Sequence, residues 1–80
     1  MAVRLVFLGK LADLAGAPER EVPGSLDWGA LVEALEGDFG DALERDKIKL
    51  AVNGTLLADK RSLAAEDGDE VALLPPVSGG

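Results

Sequence analysis

The apolar positions of this 80-residue chain fall into short runs whose period changes along its length. Val3, Leu5 and Phe7 alternate with Arg4, Val6 and Leu8, which predicts a strand over residues 2–8 with one wholly apolar face and another that is apolar after Arg4. Leu11 and Leu14 are spaced for one side of a short helical turn over residues 9–16, closed by Gly16, and Pro18 forbids its continuation. Residues 19–22 are charged and lie between turn residues, which suits an edge strand that must resist pairing with other molecules. Beyond the Pro23-Gly24 turn, Ser25 or Asp27 can cap a helix with Trp28, Leu31, Val32, Leu35 and Phe39 on one side and Glu33 and Glu36 on the other. This stripe predicts one main helix, ended by Gly37 and Gly40, with Trp28 as a packing residue. Residues 41–47 then read as a charged connection with room for one more helical turn.

Residues 48–52 form the cleanest alternating strand, Asn53-Gly54 after it is a strong hairpin signal, and residues 55–57 are the return strand. A polar loop over 59–62 and a plug at the core edge over 63–65 lead to a second turn, Asp67-Gly68-Asp69. That turn lacks the longer ligand series and the bidentate Glu of a calcium loop. Residues 70–74 are the last strand. If Val71 and Leu73 face the helix, Ala72 and Leu74 face outward, and with Val6 and Leu8 they form an apolar patch for a partner. The expected fold is α+β, a mixed sheet covered on one face by one main helix, with residues 1–74 as the domain and 75–80 as an extended tail. If the first and last strands pair in parallel, the tail leaves from the sheet centre.

Composition narrows the function. The chain carries no cysteine and no histidine, which excludes a disulfide framework, a thiolate metal site and the usual general base. Eight Lys and Arg against 15 Asp and Glu give a net charge of −7, with acidic residues interrupting the basic ones, so a basic-faced protein is a better partner than nucleic acid. No apolar run approaches a membrane span and the first residues lack a signal-peptide layout, so a cytoplasmic location is expected. The carboxylates form no catalytic constellation of their own.

The candidate chemistry lies in the tail, Pro75-Pro76-Val77-Ser78-Gly79-Gly80. Consecutive prolines hold the backbone near polyproline geometry and withhold N–H donors, so the chain leaves the sheet there. Six extended residues reach about 20 Å, and Gly79 and Gly80 fit a slot too narrow for any side chain. The group delivered would be the Gly80 α-carboxylate, an anion at neutral pH and a poor electrophile. It needs activation by another protein, ordinarily adenylation with ATP followed by displacement of AMP by a sulfur or amine nucleophile. A glycine pair alone would be better read as a frayed end; the prolines and the strand before them argue for function.

The element order, with Ala51-Val52-Asn53-Gly54, Asp67-Gly68-Asp69-Glu70-Val71 and the ending Pro75-Pro76-Val77-Ser78-Gly79-Gly80, resembles the β-grasp, ubiquitin-like sulfur-carrier proteins. It looks most like the MoaD-type small subunit of molybdopterin synthase. Leu73 and Leu74 stand where members of that family often carry aromatic residues before the prolines. The resemblance implies that an E1-like (MoeB-type) enzyme uses ATP with Mg to adenylate Gly80, that a sulfur donor protein converts it to a thiocarboxylate, and that Pro75, Pro76, Val77 and Ser78 carry Gly79 and Gly80 into a MoaE-type large subunit. Two sulfurs delivered in turn would make the dithiolene of molybdopterin, in a heterotetramer of two small and two large subunits. The chain would bind no cofactor itself and act as a non-catalytic sulfur-donating subunit. Three alternatives stand beside this reading: a thiamine-type sulfur carrier, a ubiquitin-like modifier joined to lysines through Gly80, and a binding module that works through its sheet face alone.

Overall fold

A computed structural model describes residues 2–35, 37–45 and 48–75. The elements in order are β1 (Ala2–Phe7), α1 (Lys10–Ala15), β2 (Glu19–Pro23), β3 (Leu26–Asp27), α2 (Trp28–Ala34), α3 (Asp38–Arg45), β4 (Lys49–Val52), β5 (Thr55–Leu56), a 3-10 turn (Lys60–Ser62), β6 (Ala64–Ala65) and β7 (Glu70–Leu74). The main sheet has five strands in the order β2-β1-β7-β4-β5. Its central pair, β1 and β7, is parallel, with Leu5 opposite Val71 and Phe7 opposite Leu73. The other pairings are antiparallel, so the sheet is mixed and the last strand lies at its centre. This is the β-grasp arrangement.

The alternation of β1 and β7 decides which face is covered. Val3, Leu5 and Phe7 join Val71, Leu73 and Leu50 on the inner face, each buried, and the helices close over them with Leu11, Leu31, Leu35, Phe39 and Leu43. The ring of Phe39 meets that of Phe7 edge-on, with centroids 5.5 Å apart, a favoured aromatic geometry. β2 lies at one edge, as its charges predict, and β5 at the other.

The helical region departs from expectation. The stripe from Trp28 to Phe39 belongs to two helices, with Gly37 between them at φ 74°, where a side chain would be strained. Gly40 does not end a helix but lies inside α3, and most of the stretch read as a charged connection is helical. The physical cause is close approach: a Cβ built on Gly40 would sit 2.5 Å from the Leu35 carbonyl oxygen and 3.3 Å from that of Val32. A continuous helix could not bring α3 across the end of α2 in this way. Asp27, one of the two expected caps, fills that role, its Oδ1 accepting from the Ala30 N–H at 2.8 Å. At the other end of α2, Arg20 Nη1 of the edge strand donates to the Ala34 carbonyl at 3.0 Å, tying β2 to the orphan carbonyls of the helix.

The polar loop at 59–62 is a 3-10 turn capped by Asp59, whose Oδ1 accepts from the Arg61 N–H at 2.9 Å. Leu63 and Ala65 do plug the core edge, and they do so partly as a strand: β6 pairs with β3, Leu26 opposite Ala65. Lys60 Nζ donates to the Leu43 carbonyl and lies 5.7 Å from the Trp28 ring centroid, so the turn is fastened to both α2 and α3. Trp28 is half-buried against the core, a packing residue as expected.

Candidate functional site

Strand registers place the outer face of the sheet residue by residue. Directly paired positions project to the same side. One row therefore crosses the sheet as Glu19, Val6, Ala72, Ala51 and Leu56. Towards the end from which the chain leaves, Leu74 lies opposite Lys49, beside Leu8 on β1's extension. Towards the other end, Glu21, Arg4 and Glu70 align, with Arg4 and Glu70 as an exposed ion pair at 3.6 Å, a contact of little energetic weight.

The four residues expected to form a partner surface thus lie on one face. Val6, Ala72 and Leu74 are half-buried and Leu8 is exposed. Ala51 and Leu56 extend the same row, and Leu56, at 57 % exposed, is the most accessible large apolar residue of the group. Sequence reading missed both, although a signal existed. A two-residue Asn53-Gly54 turn sets Val52 opposite Thr55 and hence Ala51 opposite Leu56.

The exit from β7 is built by β1. The Leu8 N–H donates to the Leu73 carbonyl at 3.1 Å, continuing the parallel ladder one residue past β1. The chain then bends at Gly9, whose φ of 56° and ψ of −131° suit glycine alone. The Pro75 ring fills the space beside it, and a Cβ on Gly9 would fall 3.3 Å from Pro75 Cγ. The first tail proline is therefore seated on a backbone that has no side chain there. Pro76, Val77, Ser78, Gly79 and Gly80 lie outside the described residues.

At the opposite end of β7 a side-chain latch fixes the register. Asn53 Oδ1 accepts from the Glu70 N–H at 2.9 Å, and Asn53 Nδ2 donates to Asp69 Oδ1 at 3.0 Å. The Asn53 N–H donates to the Glu70 carbonyl at 2.8 Å, and Asp69 Oδ2 accepts from the Glu66 N–H at 2.9 Å. Donation from the Glu66 backbone, and then from Asn53, holds the Asp69 carboxyl below its ordinary value of 3.8. Asn53 and Gly54 both have positive φ, 49° and 86°, as a type I′ turn requires. No group of three or more carboxylates suited to a metal ion exists among the described residues. Nor, among them, is any helix long and apolar enough to cross a membrane.

The ThiS family matches residues 5–80. The molybdopterin synthase sulfur carrier subunit of Escherichia coli (strain K12) is 35% identical over 85 residues, covering 98% of this chain and 99% of its own. That of Drosophila melanogaster is 35% identical over 83 residues, covering 98% and 90%. Among solved structures, SAMP1 from Haloferax volcanii superposes with a TM-score of 0.67 at 30% identity, covering all of both chains. A chain in the complex of subunits 1 and 2 of the molybdopterin-converting factor from Helicobacter pylori does so with 0.66 at 26% identity, again over both whole chains. With the β-grasp sheet, the strand order and a match that runs from β1 through the glycine pair, this chain belongs to the ThiS family of ubiquitin-like proteins.

Proposed function

We propose that the chain is the sulfur-carrier small subunit of a molybdopterin synthase, acting in the cytoplasm. The observation that carries this reading is its similarity, at about a third of positions and over nearly its whole length, to proteins named molybdopterin synthase sulfur carrier subunit. The geometry accords with the role. A carrier must present its terminus from a rigid body, and β7, the strand that precedes Pro75, is held by a ladder on each side.

In this reading a MoeB-type enzyme binds ATP with Mg, and the Gly80 carboxylate attacks the α-phosphate and releases pyrophosphate. A sulfur donor then displaces AMP, leaving a thiocarboxylate at Gly80. The tail from Pro75 and Pro76 through Val77, Ser78 and Gly79 delivers that sulfur into the large subunit, and two deliveries complete the dithiolene of molybdopterin. The outer-face row of Val6, Ala72, Ala51 and Leu56, with Leu8 and Leu74 beside the exit, forms the docking surface for the large subunit. The complex formed by the Helicobacter pylori relative supports a partner of that kind. Two small and two large subunits make up the assembly. This chain contributes the reacting carboxylate, the narrow tail and the apolar face; the partners contribute catalysis.

The test is an intact mass after incubation with ATP, the adenylating enzyme and a sulfur source, with fragmentation to localise the change, because oxidation of Met1 adds nearly the same nominal mass. Replacement of oxygen by sulfur on Gly80 is expected, and deletion of Gly80 should abolish synthase activity while leaving the fold intact. An unmodified Gly80 beside a demonstrably active adenylating enzyme would refute the carrier role. The 30% identity to SAMP1 of Haloferax volcanii, a small archaeal modifier protein, favours a second reading in which Gly80 is joined to lysines. Isopeptide-linked adducts in cell lysate would select it.

A further inference from the structure

The Asn53-Gly54 pair has a second chemistry that the fold holds in check. Asparagine before glycine is prone to attack by the following backbone nitrogen, since glycine has no Cβ to obstruct the approach. In that step the Gly54 nitrogen bonds to Asn53 Cγ, the Cγ–Nδ2 bond breaks, and the Gly54 amide proton leaves with the amide group as ammonia. Water then opens the cyclic imide at either carbonyl, giving aspartate or isoaspartate at position 53.

Here both heteroatoms of the Asn53 side chain are engaged elsewhere. Oδ1 accepts from the Glu70 N–H at 2.9 Å, which ties the side chain across the ladder to β7. Nδ2 donates to Asp69 Oδ1 at 3.0 Å, and Asp69 is itself fixed by the Glu66 N–H. Attack on Cγ requires the side chain to swing back over the Gly54 nitrogen, so both bonds must break first. We propose that Asn53 is a spontaneous deamidation site gated by this latch, closed in the native hairpin and exposed to cyclisation only when Asn53 leaves Asp69 and Glu70.

The product cannot rebuild the latch. A carboxylate at position 53 has no N–H to offer Asp69 and meets it with like charge. The isoaspartate product also inserts a backbone methylene at the turn, beside the Val52–Val71 pairing that anchors the tail strand.

The experiment follows position 53 of the full chain by peptide mapping with isoaspartate detection at neutral pH, in the native state, in urea and in Asp69→Ala. Deamidation is expected fastest in the unfolded chain. In folded Asp69→Ala it should run at least about tenfold faster than in the native parent, the factor set by loss of a hydrogen bond to a charged group. Equal rates in the native and unfolded parent would overturn the proposal, as would an unchanged rate in folded Asp69→Ala. Should that variant fail to fold, Asp69→Asn keeps the side-chain oxygen and loses the charge. Faster Glu70 amide exchange in it without faster deamidation would equally overturn the gate.

Discussion

Gly40→Ala sets helix propensity against packing, and the two predict opposite signs. In an α-helix interior, replacing Gly by Ala stabilises by roughly 1 kcal/mol on propensity alone. Yet the new Cβ would stand 2.5 Å from the Leu35 carbonyl oxygen, close to an ångström short of the 3.4 Å at which ordinary contact begins. The obstructing atom is backbone, so no rotamer change relieves it, and α3 must move away from α2. Phe39 and Leu43 travel with it, disturbing the edge-on contact to Phe7 and the core beneath. Taking overpacking at about 3 kcal/mol and subtracting the propensity gain leaves a net loss of about 2 kcal/mol. For a domain this size that lowers the melting temperature by roughly 8–16 °C. Gly29→Ala in α2 is the control: its Cβ would meet Asp27 Oδ1 at an ordinary 3.7 Å, so propensity acts alone and the variant gains about 0.5–1 kcal/mol. Thermal and urea unfolding of both variants decide the matter. A Gly40→Ala protein as stable as the parent would refute the claim that glycine at 40 is required for the two helices to cross.

Leu50→Ala, at a fully buried position on β4, should cost about 2–5 kcal/mol. That is much of the stability available to so small a domain, and the urea midpoint should fall accordingly. Ala72→Glu places a charge in the middle of the outer apolar row; binding to the large subunit should weaken at least about tenfold by titration calorimetry, with an unchanged circular dichroism spectrum. Asp69 binds its proton less readily folded than unfolded, so it stabilises the fold above its ordinary pKa of 3.8 and loses that contribution as pH falls through the lower folded value. The stability difference between the parent and Asp69→Ala should therefore be constant near neutrality and shrink below about pH 4; a difference independent of pH would exclude the carboxylate as its source.

Local signals were legible in the sequence and non-local ones less so. The Asn53-Gly54 turn, the Asp67-Gly68-Asp69 turn and the alternation of β1, β4 and β7 each depend on neighbouring residues, and each forms as read. The helix break was hidden because Phe39 follows Leu35 at the spacing a continuous helix would give, so the apolar stripe runs straight through the interruption at Gly37. β3 and β6 have two residues each, too few for any period, and exist only because distant segments meet. Among the surface positions, Val6, Leu8, Ala72 and Leu74 could be named from strand alternation, whereas Ala51 and Leu56 needed the register carried through the hairpin.

The central place of β7 bears on the order in which the fold can be completed. β7 alone bridges the β2-β1 pair to the β4-β5 pair in the main sheet, and its parallel partner β1 comes from the far end of the described chain. Pairing so distant in sequence is slow, because the chain loses loop entropy before the contact rewards it. Until that closure the outer row is split into separate fragments, and neither Val6 nor Ala51 has Ala72 beside it. A partner that reads the whole row is thereby a proofreader of folding: it engages only molecules whose sheet has already closed around the strand that carries the tail.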